Sequence, residues 1–199
     1  MIEEQPRDFS GVSFGSTDEE YTILIEAPMG VSLNLGGDDE NYGINEINGS
    51  IAINADDADV NLKGCSGDRF DFGLDDGSIT MDEGRGSLLI DVDDGQAEIR
   101  NANFDEINLD SDDGDFSIYT GLTDGGNYSF DMDDGNLEFY VGSGGGTFKI
   151  RHDDADISTD QTFRRILDEE NETEFELPGG TATISIDVDD ADIELRKSN

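Results

Sequence analysis

Positive charge is what this sequence has least of. Eleven Lys and Arg stand against 50 Asp and Glu, a formal charge of −39 over 199 residues. Lysine occurs only at Lys63, Lys149 and Lys197. Such a surface repels polyanions, which excludes nucleic acid as a partner and disfavours anionic membranes. It suits cations, basic partners or a salty habitat. Cysteine is nearly absent too. Cys65 is alone, so no intrachain disulfide can form, and with one His in the chain there is no zinc set. Within Gly64-Cys65-Ser66-Gly67 it reads as an incidental thiol in a turn. No apolar run reaches about 18 residues, so no membrane-spanning helix and no direct membrane insertion is expected. The start, Met1-Ile2-Glu3-Glu4-Gln5-Pro6, lacks the basic residues and apolar stretch of a signal peptide. That leaves a cytoplasmic protein or one whose signal was removed.

Hydrophobic residues make up 34%, little for a thick globular core. High charge with low hydrophobicity is also the signature of disorder. A regular repeat argues against disorder. Asp-Asp-Gly or Asp-Asp-Ala recurs with its first Asp at 56, 75, 93, 112, 133, 153 and 189. The separations are 19, 18, 19, 21, 20 and 36, the last being one period with an insertion.

The flanks keep the same register. Five and three residues before the first Asp stand Ile51 and Ile53, Phe70 and Phe72, Leu88 and Ile90, and Ile107 and Leu109. Tyr128 and Phe130, Phe148 and Ile150, and Ile184 and Ile186 continue the series. Four and six residues after it come pairs such as Val60 and Leu62, Ile79 and Met81, and Phe116 and Ile118. Alternation of this kind marks two half-buried strands joined at the Asp-Asp corner. Looser Gly- and Asn-rich turns, such as 121–127, join one rung to the next.

The expected fold is all-β: a single-domain parallel β-solenoid of about eight rungs with a period of ~19 residues and a strand spacing of ~4.8 Å. Tight Asp-Gly turns also suit an antiparallel meander, but two alternating turn classes in fixed columns favour the solenoid. Residues 1–30, with strand-like runs at 12–14 and 21–27, read as an N-terminal cap. Residues 31–159 read as rungs. The first of these holds Val31, Leu33 and Leu35 and lacks the Asp-Asp corner. Residues 160–180 read as an insertion or cap, and 181–199 as the last rung. Phe163, Ile166 and Leu167 are spaced as on one helix face, which predicts a short helix over 160–170.

Stacked in parallel, equivalent aspartates form ladders. Asp75, Asp93, Asp112 and Asp133 form one, and Asp91, Asp110 and Asp131 a second beside it. Backbone N–H groups, raised pKa values or bridging cations could offset the repulsion. Ca²⁺, which takes 6–8 oxygen ligands, is the candidate ion for a low-affinity ladder. The EF-hand spacing is missing, so no dedicated cage and no other cofactor is expected.

Paired carboxylates on a β-helix also occur in polysaccharide-cleaving enzymes, but such a site is unique in its chain, whereas this pair recurs seven times. The one basic cluster is Lys149, Arg151 and His152. His152 falls in the inward column just before a corner, the place of a packed rung residue. No nucleophile motif, dinucleotide fingerprint or phosphate loop is present; Gly-Ser-Gly-Gly-Gly over 142–146 lacks the lysine of one.

The run from Tyr21 to Leu35, with its apolar strand and Pro28-Met29-Gly30 turn, resembles the opening of a bacterial family of adhesin-like β-strand repeats (domain of unknown function 4097). Gly49-Ser50-Ile51-Ala52-Ile53 and Ala58-Asp59-Val60-Asn61-Leu62 are close to that family's rungs. The likeness spans roughly residues 20–195. It implies a β-solenoid working at the cell envelope or outside the cell, without catalytic residues. The acidic corners depart from the family. The expectation is a non-enzymatic adhesin or scaffold that presents an acidic ridge to a protein or glycan surface ligand. The alternatives are a polysaccharide-acting β-helix enzyme and a calcium-responsive structural module.

Overall fold

A computed structural model describes residues 22–198, and all regular structure in it is β. The strands are β1 (Leu33–Asn45), β2 (Ile51–Lys63), β3 (Arg69–Thr120), β4 (Asn127–Val141), β5 (Gly146–His152), β6 (Asp156–Thr159), β7 (Arg164–Glu169), β8 (Glu172–Leu177) and β9 (Ala182–Lys197). They form one nine-stranded sheet in the order β1-β2-β3-β4-β9-β5-β8-β7, with β6 also paired to β9.

The repeat positions pair with one another in parallel. Ile51 lies beside Phe70, Ile53 beside Phe72 and Val60 beside Ile79. Ile107 lies beside Tyr128, and Phe116 beside Leu137. Burial alternates along each arm and slips one place at the corner. Ala55 and Ala58 are buried while Asp56 and Asp57 between them are exposed. Both arms of a repeat therefore face the same core. The first corner Asp has no pairing partner in the ladder, whereas the second continues it: Asp39 beside Asp57, and Asp57 beside Asp76. The first repeat thus has an Asp-Asp corner after all, at Asp38-Asp39. Glu40 follows it instead of Gly or Ala, which hid it from the sequence pattern.

The small third residue of the corner has a steric cause. Gly77, Gly95, Gly114 and Gly135 each face a backbone carbonyl of the repeat below, at the place a Cβ would occupy. Gly135, with φ 119°, would set that Cβ against the Gly114 carbonyl. The looser turns share a device of their own. Glu46, Gly64, Glu83 and Asn101, each eight residues after a first corner Asp, all have φ between 54° and 71°. That left-handed residue closes the 18- and 19-residue periods.

The core stacks aliphatic side chains with buried phenylalanines, among them Phe70 and Phe104, and has an aromatic file near one end. Phe130 and Phe139 are 5.3 Å apart, Phe139 and Phe148 6.3 Å, and Phe148 and Phe163 5.2 Å, each pair edge to face. Such pairs add to the area they bury. The Tyr128 hydroxyl, buried among them, donates to the Phe104 carbonyl at 2.7 Å and accepts from the Thr123 N–H at 2.9 Å.

Two expectations fail at the C-terminal end. The described residues contain no helix. Residues 164–177 make a β-hairpin, β7 antiparallel to β8, and β8 also pairs antiparallel to β5. Thr173, Phe175 and Leu177 alternate inward and are buried, and this period of two outweighs the helical spacing upstream. Ile166 is 48% exposed and Phe163 is 7%, so the two share no helix face.

The second failure is the stacking order. The C-terminal repeat is not the last in the stack. β9 lies between β4 and the β5–β6 repeat, parallel to both. Its Ile184, Ile186, Val188, Ile193 and Leu195 are at most 2% exposed. Their burial contributes on the order of 10 kcal/mol before entropy is counted. The N-terminal cap expected over 1–30 lies outside the described residues up to 21, and residues 22–32 form no strand.

Candidate functional site

The corners gather the predicted aspartates onto one exposed ridge. Asp75, Asp93 and Asp112 are neighbours, with Asp91 beside Asp93. Asp110 pairs with Asp131, and Asp131 with Asp187. Asp133 stands next to Asp131. Sequence reasoning missed the parallel file of second corner aspartates, where Asp113, Asp134 and Asp190 run side by side. Its signal was already present, since every corner is a pair.

Crowding shows in the protonation of four members. A hydrogen bond with Asp39 leads in pushing Asp57 up, followed by desolvation and the charges of Asp39 and Asp76. Desolvation leads at Asp93, with repulsion from Asp112, Asp75, Asp91 and Asp94 added. Asp131 and Asp134 rise for the same reasons. Each shift marks a place where the charged form is disfavoured.

One end of the ladder is closed by a cation. Arg151 occupies the position of Asp91, Asp110 and Asp131 in its own repeat. It pairs with Asp187, Nη1 to Oδ2 at 3.3 Å. Because β9 is inserted, Asp187 separates Asp131 from this arginine. The ridge otherwise presents single carboxylates in series, and no three His, Cys, Asp or Glu groups among the described residues converge as a metal cage requires.

The basic cluster does not converge on a cleft. Lys149 bonds Glu172 at 2.7 Å and also reaches Glu174. Arg151 is held by Asp187 and Glu172. His152 is half-buried beneath the hairpin, its Nε2 3.3 Å from the Thr173 hydroxyl. All three tie β5 to its neighbours. Cys65 is buried, with its thiol facing the Ile44 and Lys63 carbonyls. Gly145 and Gly146 pack against the returning chain at Leu177 and Ala182, so the glycine run is a close-approach turn.

A second feature lies on the outer face of the second arms. A groove of about 900 Å³ crosses the stack from Ser78 and Thr80 to Asp156 and Ser158. From Ser78 and Thr80 to Asn136 and Glu138 acids here alternate with neutral side chains, whereas Glu194 lies beside Glu138 and Asp156 beside Asp192. The Ser78 hydroxyl donates to Asp59, Asn136 Nδ2 donates to Asp115 at 2.5 Å, and the Ser117 hydroxyl donates to Glu138 at 3.3 Å. These bonds between repeats relieve repulsion at Asp59, Asp115 and Glu138, where the ridge has no such donors. The molecule thus has two long polar surfaces, one dominated by carboxylates and one mixed.

A family profile described as Toastrack DUF4097 matches residues 32–198. No curated protein and no solved structure matches the chain.

Proposed function

The chain belongs to the Toastrack DUF4097 family, and from that premise we propose that it is a non-enzymatic binding or scaffold module, an adhesin-type β-solenoid of about eight rungs working at the cell envelope or outside the cell. One observation carries the reading: among the described residues the acidic groups repeat at every corner, and the one unlike cluster, Lys149, Arg151 and His152, is engaged in ion pairs and packing. A catalytic site needs one place that differs from the rest. A contact surface needs the same chemistry over a length, and the ridge and groove supply it. The ligand that fits is a protein or glycan surface offering cations or hydroxyl groups to a row of carboxylates. Electrostatic attraction would raise its on-rate and make binding fall with salt.

Polysaccharide cleavage is the weaker reading, because Lys149, Arg151 and His152 are engaged in holding β5 and β8. The test is a panel of acidic, neutral and amino glycans incubated with the protein, with binding and turnover both measured. Salt-sensitive binding without turnover supports the proposal. Turnover abolished by His152→Ala would overturn it.

A second reading, a calcium-responsive module, is favoured by the unrelieved ridge, where aspartate stands beside aspartate with no neutral donor between. Melting curves in CaCl₂ and in NaCl at matched ionic strength separate the two effects. Equal stabilisation by both salts removes the calcium reading.

A further inference from the structure

The β5–β6 repeat that ends the stack is capped over one arm only. β8 covers β5, the first arm, and Phe148 and Ile150 beneath it are fully buried. β6, the second arm, pairs with β9 on one side, and its other edge has no partner among the described residues. Ala155 and Ile157 are partly exposed there, whereas their counterparts in the β9 repeat, Ala191 and Ile193, are at most 5% exposed. The Asp154 N–H donates to the Asp189 carbonyl at 2.9 Å and the Asp160 N–H to the Leu195 carbonyl at 3.3 Å. Residues 154, 156, 158 and 160 therefore turn their backbone groups toward β9. Alternate residues of a parallel ladder bond to opposite sides, so the N–H and C=O groups of Ile157 and Thr159 point to the open side. An edge with free backbone groups invites a further strand.

The surroundings select what that strand carries. Asp156, Ser158, Asp192 and Glu194 stand outward on β6 and β9 and line the near end of the groove. At the corner, Asn171 Nδ2 donates to the His152 carbonyl at 3.2 Å and to Asp153 at 2.9 Å. Residues 153–155 leave the strand conformation that the other corners keep. A cavity of about 450 Å³ opens beside them, lined by Asp154, Asp156, Asp190 and Asp192. Among the described residues these carboxylates do not converge on one point, and such a spread suits an ammonium or guanidinium group on a flexible arm. Arg151 and Arg196, on adjoining strands, are already paired with Asp187, Glu172 and Glu194. An apolar step at Ile157 thus lies between acidic or polar neighbours on one open edge.

We propose that the open edge of β6 is the docking site for an extended basic segment of a partner protein, which adds to the sheet as one further strand. Main-chain bonds to Ile157 and Thr159 give the pairing. The segment turns an apolar side chain inward over Ile157. The residues flanking it are Lys or Arg and face the side of Asp156, and one of them reaches the corner cavity. The inference rests on the binding-module reading and names one partner class for it. A glycan fits this edge less well, since it carries no file of N–H and C=O groups and no apolar side chain for Ile157. A second copy would bring together two chains each carrying −39, which opposes it.

The test uses two probes, a short peptide of alternating Lys and Val and the same peptide N-methylated at every peptide bond, which keeps the charge and removes the N–H groups. Amide exchange of the full chain is read by nuclear magnetic resonance with each, at about 0.15 M salt to screen exposed charges. In the free chain the Ile157 and Thr159 amides should exchange at least about tenfold faster than those of Ile193 and Leu195. The first peptide should slow both about tenfold, and the methylated one neither. Asp154→Asn with Asp156→Asn should raise Kd about tenfold, while Asp93→Asn with Asp112→Asn on the ridge should change it less than about twofold. Equal binding of the two peptides without protection at Ile157 and Thr159, or loss through the ridge variant instead, overturns this proposal and leaves the binding-module reading standing. Slow exchange of those amides in the free chain, or protection that grows with protein concentration alongside a dimer in sedimentation, does the same. No binding of either peptide or of any glycan on the panel overturns both.

Discussion

Replacing Gly135 by Ala asks whether repeats stack at the distance and register described. Gly135 lies between Gly114 and Ala191 in the file of third corner residues. Its φ of 119° falls where L side chains are strained, a cost of about 1–3 kcal/mol. The added Cβ would also overlap the Gly114 carbonyl oxygen and lie 2.9 Å from that residue's carbon and nitrogen. Relief requires β4 to lift from β3 locally, which weakens one or two ladder hydrogen bonds at about 1 kcal/mol each. The sum is about 2–5 kcal/mol, a large part of the ~5–15 kcal/mol that holds a typical domain. The control is Ala191→Gly in the neighbouring repeat, where an existing Cβ is accommodated with 5% exposure. It should cost about 1 kcal/mol through chain entropy. Urea unfolding followed by far-ultraviolet circular dichroism measures both. A Gly135→Ala variant within about 0.5 kcal/mol of wild type, by the same assay, refutes the corner geometry.

Acidity should act in two opposed ways. Asp57, Asp93, Asp131 and Asp134 hold protons more tightly in the fold than in the unfolded chain. Their penalty is therefore full above the folded pKa and relieved as pH falls, so Tm rises from pH ~7 toward the carboxylate range near ~4. At Asp160 burial acts to raise the pKa, but bonds from the Thr162 hydroxyl and the Lys197 and Thr162 N–H groups outweigh it and hold it low. Its contribution is present above the unfolded pKa and lost as pH falls through the folded one, so the rise reverses in stronger acid; a Tm falling steadily from pH 7 contradicts the ladder. Sodium chloride should raise Tm up to ~1 M, where the screening length of ~3 Å is shorter than the strand spacing, and a salt-independent Tm counts against unrelieved repulsion. Phe175→Ala should cost about 3–5 kcal/mol and speed amide exchange across 146–152, because that buried ring pins the hairpin to β5; unchanged exchange there would show that the hairpin is no cap.

Fold legibility followed the columns. Seven corners and their inward positions could be read because each recurs in the same columns, while the eighth, Asp38-Asp39, was hidden by the Glu40 that follows it. The hairpin could not, because Phe163, Ile166 and Leu167 fit a helix spacing and the deciding alternation, Thr173-Phe175-Leu177, is only three positions long. The insertion of β9 was hidden for a deeper reason. Tyr128, Ile184 and Phe148 occupy the same place in their repeats and stack in one file, so either order of the last two repeats satisfies the alternation. The antiparallel hairpin breaks the tie. With β8 on the outer edge of β5, the remaining strand has its place against β4. The ridge aspartates could be read from the corner motif, whereas the Arg151 closure depended on stacking order and could not.

Stacking order is therefore the point to measure most directly. Glu138 lies beside Glu194, and Glu194 beside Ser158. Adjacent strands are ~4.8 Å apart, within disulfide reach, and strands two apart are ~9.6 Å and beyond it. Under mild oxidation, Glu138→Cys with Glu194→Cys should cross-link, and Glu138→Cys with Ser158→Cys should not. A bond in the second pair and none in the first would mean that the repeats stack in chain order and that β9 is not inserted.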